Sequence, residues 1–557
     1  MADAVLPPEI LHLIFENLSA HADFYSLCLV SRCFHGTAIR FLYRRVIVPY
    51  RPCDSREAFA APLAALFSPA QQRYFATGRR KPAVRDTPQP YRELSGCGEF
   101  VKYFKFDQKN LRGVVGGGGE LVEAAIENMH RLESFVWQSA AAAAAADSDD
   151  DDGPPPGSGI VRTPRISRAL AAKPNLRHLT LEKFFADTDV PLLHVGPLWS
   201  FSFVLESGFA SFAHRRFPTL GSPAADTSPA ADYDIIRKIL QTSAKTLRVL
   251  SLRSASNVRP QYNDEHLLFG GAPSFADTSP EELLHLDVLD GLSLDGRLFT
   301  DSGAETLARA IDFTLLRHLT IRNCVHVEKL LHALFPLPLS LPRLRRLVIQ
   351  ASQSLLTSLI GALSGLRELV ITAETEALDW TAPGGLRRRF STGEATSGLL
   401  DAVVKHADTL RVLVFLPNVG ASKQMFLAPA ALGRLVSRCG VLRDIRVCVG
   451  FAEWSRVVAA LAGSRSLTQV YLQQRAPRQP LPECVGVTRA ERMETGARGY
   501  VRDVVAAVEG VRAVGVAYSE EEDTLFVYRV LEDGAALRRV EGEKRGAFWG
   551  AEVFAEE

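Results

Sequence analysis

The sequence predicts an α/β chain, in which an N-terminal three-helix module precedes an irregular solenoid of parallel strands with outer helices. Three observations carry that expectation. Residues 6–46 hold three short apolar runs at helical spacing. A unit of the form apolar-x-x-apolar-x-apolar recurs from about residue 101 to residue 472. Helical stretches such as Asp232–Gln241 and Ala430–Cys439 lie between its copies.

The chain of 557 residues is 47% apolar and 23% charged, a globular balance with room for more than one domain or one long array. Its formal net charge is +1. Nucleic-acid binders gather a basic excess on one face, so no nucleic-acid partner is expected. The short basic clusters, Arg343 with Arg345 and Arg346, and Arg387 with Arg388 and Arg389, read as solvated faces. The opening MADAVLPPEI has no basic region before an apolar core, so no secretory signal is expected. No apolar run approaches about 18 residues, so no membrane partner is expected. The eight cysteines are scattered and none forms a C-x-x-C pair. Reduced thiols, no metal site and a cytoplasmic or nuclear location follow as expectations.

In the N-terminal module, Pro7 and Pro8 suit the first turn of a helix. Ile10, Leu11, Ile14, Phe15 and Leu18 then recur at three- and four-residue steps. Ser19 to Asp23 reads as a break. A second run holds Phe24, Leu27, Leu29 and Val30, and a third Phe34, Ala38, Ile39, Leu42 and Tyr43. Some 40 residues cannot bury all of these side chains internally, so the excess predicts a docking face. A plain helical cap on the array is the alternative.

The string Leu6-Pro7-x-Glu9-Ile10, Ile14-Phe15-x-x-Leu18, Leu27-x-Leu29-Val30-Ser31-Arg32-x-Phe34 resembles the F-box. The trailing Leu42-Tyr43-Arg44 is similar to fungal members of that family. The resemblance covers about 45 residues. It implies an F-box domain at 1–50 that binds a Skp-type adaptor and, through it, a cullin-RING ubiquitin ligase. Carried over residue by residue, Leu6, Pro7, Ile10, Ile14, Leu18, Leu27, Val30 and Phe34 would face the adaptor or support the domain's core. Where the family often has an acid followed by two leucines, this chain has Asp23-Phe24-Tyr25.

The repeated unit occurs as NLRHLTL from Leu176, TLRVLSL from Leu247, LLRHLTI from Leu316, RLRRLVI from Leu344, GLRELVI from Leu366, TLRVLVF from Leu410 and VLRDIRV from Leu442. Weaker copies are FVKYFKF from Val101, RLESFVW from Leu132, PLWSFSF from Leu198, ELLHLDV from Leu283 and SLTQVYL from Leu467. The alternating end of each fits a strand with one buried face. Steps such as Leu344 to Leu366 (22 residues) suit leucine-rich repeats, and Leu283 to Leu316 (33 residues) needs an inserted loop. The array resembles the irregular leucine-rich repeats of many F-box proteins, although the asparagine that usually follows the last leucine is approached only at Asn323-Cys324. A different α/β arrangement is the competitor.

This layout puts a linker, partly flexible, at 51–94, the solenoid at 95–480 with a disordered insert at 139–159, and a C-terminal cap at 481–557. Alternation would turn His178, Thr180, His285, Asp287, His318, Arg322, Arg346, Arg446 and Tyr471 onto a concave face, a candidate target-binding set. Each also fits an ordinary solvated strand position. The arginine in second position (Arg177, Arg248, Arg317, Arg345, Arg367, Arg411, Arg443) reads as a surface feature where the strand begins. Ser279 to Glu282 reads as a capping box, with Ser-Pro phosphorylation as the less favoured reading. The acidic string at 149–152 lacks the spaced oxygens of a calcium loop.

No H-E-x-x-H, G-x-S-x-G or P-loop lysine pattern is present. Gly116 to Gly119 lacks the spacing of a nucleotide turn and reads as a flexible loop. No cofactor and no catalytic residue are expected. The F-box resemblance implies the substrate-recognition subunit of a Skp-cullin-F-box ubiquitin ligase, a non-catalytic role. The alternative is a protein-binding repeat scaffold whose partner is not ubiquitinated.

Overall fold

The computed structural model describes residues 7–18, 21–48, 61–67, 97–107, 118–138, 164–181, 189–205, 229–254, 268–269, 283–334, 341–373, 397–416, 427–474, 489–518, 525–530 and 537–540. Leu6, the insert at 139–159 and the Ser279–Glu282 cap lie outside the described residues. Two compact units form, Met1–Leu289 with Arg309–Ile311, and Asp290–Ala308 with Asp312–Glu557.

The first unit opens with α1 (Pro8–Glu16), α2 (His21–Val30) and α3 (Arg32–Leu42). Ser31 caps α3, its hydroxyl accepting the Phe34 N–H at 3.2 Å. Phe15, Phe24 and Ala38 form the centre of the module, with Leu18, Leu27, Phe34, Phe41 and Leu42 packed around them. Phe24 stacks on Phe41 at 5.6 Å between ring centroids and meets Phe15 edge-on at 6.5 Å. The aromatic that departs from the family pattern is thus matched by a second aromatic across the module.

β1 (Arg45–Val48) follows α3 and pairs in parallel with β2 (Tyr103–Asp107), Arg45 opposite Tyr103 and Val48 opposite Phe106. The module therefore ends inside the sheet. Within the stretch expected as a linker, Ala61–Leu66 forms a 3-10 turn, and Leu63, Leu66 and Phe67 are buried. Asn128 donates from Nδ2 to the Leu66 carbonyl at 3.1 Å. A side chain at Gly98 would come within 2.8 Å of that carbonyl. This part of the linker is core, because its apolar residues find a groove that only glycine leaves open.

β3 (Ser134–Gln138), β4 (His178–Leu181), β5 (Ser200–Leu205) and β6 (Val249–Ser254) continue the sheet in parallel. Their register stacks Phe104, Phe135, Leu179, Phe201 and Leu250 in one row and Phe106, Trp137, Leu181, Phe203 and Leu252 in the next. All ten are buried. These are the second and third apolar positions of the repeated unit, so the pattern and the core coincide.

The second unit holds parallel β7 (Gly291–Asp295), β8 (His318–Arg322), β9 (Arg346–Ala351), β10 (Glu368–Ala373), β11 (Val412–Leu416), β12 (Asp444–Val449), β13 (Gln469–Gln474) and β14 (Ala513–Tyr518). β15 (Leu525–Val530) and β16 (Leu537–Val540) then turn antiparallel. Two expectations are corrected. ELLHLDV forms no strand: Leu286 makes an isolated bridge to Ile311. The strand comes six residues later, from Leu289-x-x-Leu292-x-Leu294, whose three leucines are all buried. The step to Leu316 is then 27 residues, and no long loop is needed there. The cap also starts later than residue 481. Val511-x-x-Val514-x-Val516 is one more copy of the unit and adds β14 in parallel, behind helix Arg489–Ala507. Among the described strands, β15 and β16 alone depart from the repeat.

Two hydrogen-bond devices tie neighbouring repeats. At the residue before most of the parallel strands, one carbonyl accepts two N–H groups from the next repeat: Arg317 accepts from Arg345 and Arg346, and Arg367 from Arg411 and Val412. Glu133, Trp199, Asp290 and Thr468 serve the same way in other repeats. The hydroxyl ahead of the first leucine also reaches back one repeat. Thr246, Thr409 and Ser466 donate to the carbonyls of Leu198, Leu366 and Leu442 at 2.8, 2.7 and 2.7 Å.

Candidate protein-docking surfaces

α1 carries apolar side chains at 10, 11, 13, 14 and 15, more than one stripe can bury. Leu11 and Phe15 turn inward, while Ile10, Leu13 and Ile14 are exposed. α2 divides the same way: Phe24 is buried, and Tyr25, Leu29 (73% exposed) and Val30 face outward. Six of the ten exposed large apolar side chains among the described residues fall between positions 10 and 30. That concentration is denser than ordinary surface scatter.

The structure thus sorts the candidate adaptor residues. Pro7, Ile10, Ile14 and Val30 are exposed, whereas Leu18, Leu27 and Phe34 are partly buried and pack on the module's core. Leu13, Tyr25 and Leu29 were not singled out as adaptor-facing from the sequence. The signal was there: Ile10 with Leu13 and Ile14, and Tyr25 with Leu29, form second stripes at helical spacing.

The candidate target residues fall on both units. In the first, His178 and Thr180 alternate with buried Leu179 on β4. His178 is exposed, with Trp199 edge-on at 6.4 Å. Loss of water around its ring lowers the His178 pKa, and Glu133 opposes the shift. His285 and Asp287 are exposed but flank the Leu286 bridge instead of sitting on a strand.

In the second unit, His318, Arg346 and Glu368 share one register row, and Thr320, Val348, Val370, Val414, Arg446 and Tyr471 share the next. Val348, Val370 and Val414 are a buried apolar patch on the sheet face opposite the leucine core. Ion pairs flank it. Arg346 Nε lies 3.4 Å from Glu368 Oε2. Arg446 donates to both carboxylate oxygens of Asp444, Nη2 to Oδ2 at 2.7 Å, and lies over the Tyr471 ring at 4.9 Å. Burial raises the Asp444 pKa, while the Arg446 hydrogen bonds and charge oppose that rise. Arg322 ends β8, and the following turn is held across repeats. Asn323 Nδ2 donates to Asp295 Oδ1 at 2.9 Å, and its N–H to Gln350 Oε1 at 3.0 Å.

Among the described residues, no group of three or more His, Cys, Asp or Glu could hold a metal ion, and no helix is long and apolar enough to cross a membrane.

Residues 4–48 match the family described as F-box-like. No curated protein matches the chain. Among solved structures, the chain is similar to one from the complex of Rad7 and Elc1 in yeast, at 12% identity and a TM-score of 0.37, over 88% of this chain and 94% of that one. It is also similar to the leucine-rich repeat-containing protein LegL7 from Legionella pneumophila, at 9% identity and a TM-score of 0.30, over 63% of this chain and 95% of that one. The chain carries an F-box-like domain followed by leucine-rich-repeat-type parallel strands and helices. That fold rests on the register of its own strands.

Proposed function

We propose that the chain is the substrate-recognition subunit of a Skp-cullin-F-box type ubiquitin ligase. The F-box-like helices bind the Skp-type adaptor, and the repeat region binds a target protein. The observation that carries the reading is the exposed apolar face of Ile10, Leu13, Ile14, Tyr25, Leu29 and Val30 on a segment that matches the F-box-like family. A water-exposed face of that kind gains free energy when a partner covers it, roughly 25 cal/mol per Å² buried. The chain's contribution to ubiquitination is tethering: a bound target meets the ubiquitin carrier at high effective concentration. No residue of this chain takes part in bond chemistry. The work is done in the cytoplasm or nucleus.

The test is a pull-down of a Skp-type adaptor with the full chain, wild type against Ile14→Asp/Leu29→Asp. Both residues are exposed, so the variant folds, as a melting curve checks. Wild-type capture that the variant loses supports the reading. Failure of the wild type to capture the adaptor overturns it. A reconstituted ligase in which a bound target stays unmodified leaves the scaffold reading instead.

A further inference from the structure

Five consecutive strands of the second unit, β8 to β12, are each preceded directly by an arginine: Arg317, Arg345, Arg367, Arg411 and Arg443. The carbonyl ladder puts each in the same register as the next. Adjacent strands lie about 4.8 Å apart, so the row runs roughly 19 Å along the edge of the sheet. Arg317, Arg367, Arg411 and Arg443 are exposed. Arg345 donates from Nη1 to the Gly365 carbonyl at 2.9 Å. Among the described residues none of the five has a carboxylate partner. Asp290 adjoins Arg317 in the row, and the acids that open β10 and β12, Glu368 and Asp444, are held by Arg346 and Arg446. Asp408, in the turn ahead of β11, pairs with none of them.

The ladder itself does not need arginine. Trp199, Asp290 and Thr468 accept the same pair of N–H groups at the same position. Like charges side by side on neighbouring strands repel, so the row is a cost to the fold. Guanidinium groups are planar donors matched to carboxylates, and an unpaired row of them is a surface of complementary charge.

We infer that this arginine row is a docking surface for an acidic peptide tract of the target protein. This rests on the repeat region being a target-binding surface. A protein ligand is favoured over nucleic acid because the whole chain carries a formal charge of only +1 and the row is a single line of cations.

The test is fluorescence anisotropy of the full chain with a labelled octaglutamate peptide, a labelled neutral Gly-Ser octapeptide and labelled eight-residue oligothymidylate. Wild type is compared with Arg367→Ser/Arg411→Ser/Arg443→Ser. The expected result is octaglutamate binding that weakens as salt rises. The triple variant binds roughly three- to hundred-fold more weakly, the loss of three exposed ion pairs. Its melting temperature and its adaptor capture stay those of wild type. Should the triple variant not fold, Arg411→Glu alone replaces it and must weaken binding. No octaglutamate binding by wild type overturns the inference, as does equal binding by the variants or by the neutral peptide. Oligothymidylate bound more tightly than octaglutamate overturns the peptide assignment. Adaptor capture is read separately, so failure here and failure of the ligase reading are distinguishable.

Discussion

Single residues show where the repeat tolerates no variation. Gly365 has φ +70°, the left-handed region, and a Cβ there would lie 2.5 Å from Arg345 Nη1. Gly365→Ala is expected to cost about 1–2 kcal/mol from backbone strain and to displace the Arg345 guanidinium. Urea unfolding measures it, and unchanged stability would contradict this account. His406 is buried, and its Nε2 lies 3.0 Å from the Ile360 carbonyl, so the ring donates there. Loss of water lowers its pKa from 6.5, the hydrogen bond to Ile360 opposes that, and Lys405 adds to it. The unfolded chain then binds the proton more readily than the folded one. His406 therefore favours the folded state above about pH 6.5, and that contribution is lost as pH falls below it. Melting temperature should drop between pH 7.5 and pH 5.5, and His406→Gln should flatten that drop. A variant with the same pH profile as wild type would count against it. None of this was legible in the sequence, where Gly365 and His406 sit in undistinguished turns.

Elements were more legible, and the reason is physical. A strand buried on one face must alternate, and one sheet of parallel strands repeats the same demand at every turn, so NLRHLTL and its relatives announce themselves. The pattern misled where two copies abut. ELLHLDV at 282–288 runs straight into LDGLSL at 289–294, and only the second offers three leucines to the core. The repeat's polar letters also carried more than the pattern suggested. The Thr or Ser before the first leucine reads as a turn residue, yet its hydroxyl ties one repeat to the one before. Thr409→Val leaves the Leu366 carbonyl without that donor and should cost about 1 kcal/mol. Ser466→Ala should cost a similar amount at the Leu442 carbonyl. Equilibrium denaturation of both variants checks this, and a stabilised Thr409→Val would exclude it.

At the scale of the whole molecule, the excess of apolar residues over what three short helices can hide was readable in the N-terminal module. Which of them stay outside was not readable, since both stripes of α1 and α2 obey the same helical spacing. Ile14→Asp/Leu29→Asp should change stability by no more than about 0.5 kcal/mol, being on the exposed stripe. Leu11→Asp, by contrast, puts a charge in the module's buried stripe and should unfold the module. Circular dichroism separates the two, and equal damage from both would refute this division. The junction with the array was missed altogether, because the four-residue β1 is too short to show a period. Its pairing has a consequence for synthesis. β1 ends at Val48, and its partner β2 starts at Tyr103, so 54 residues separate them. At about 5–20 residues per second, a ribosome needs roughly 3–11 s to supply the second strand after the first. For that interval the nascent chain holds a bare strand with no neighbour to bond, the state in which unpaired edges invite the wrong partner.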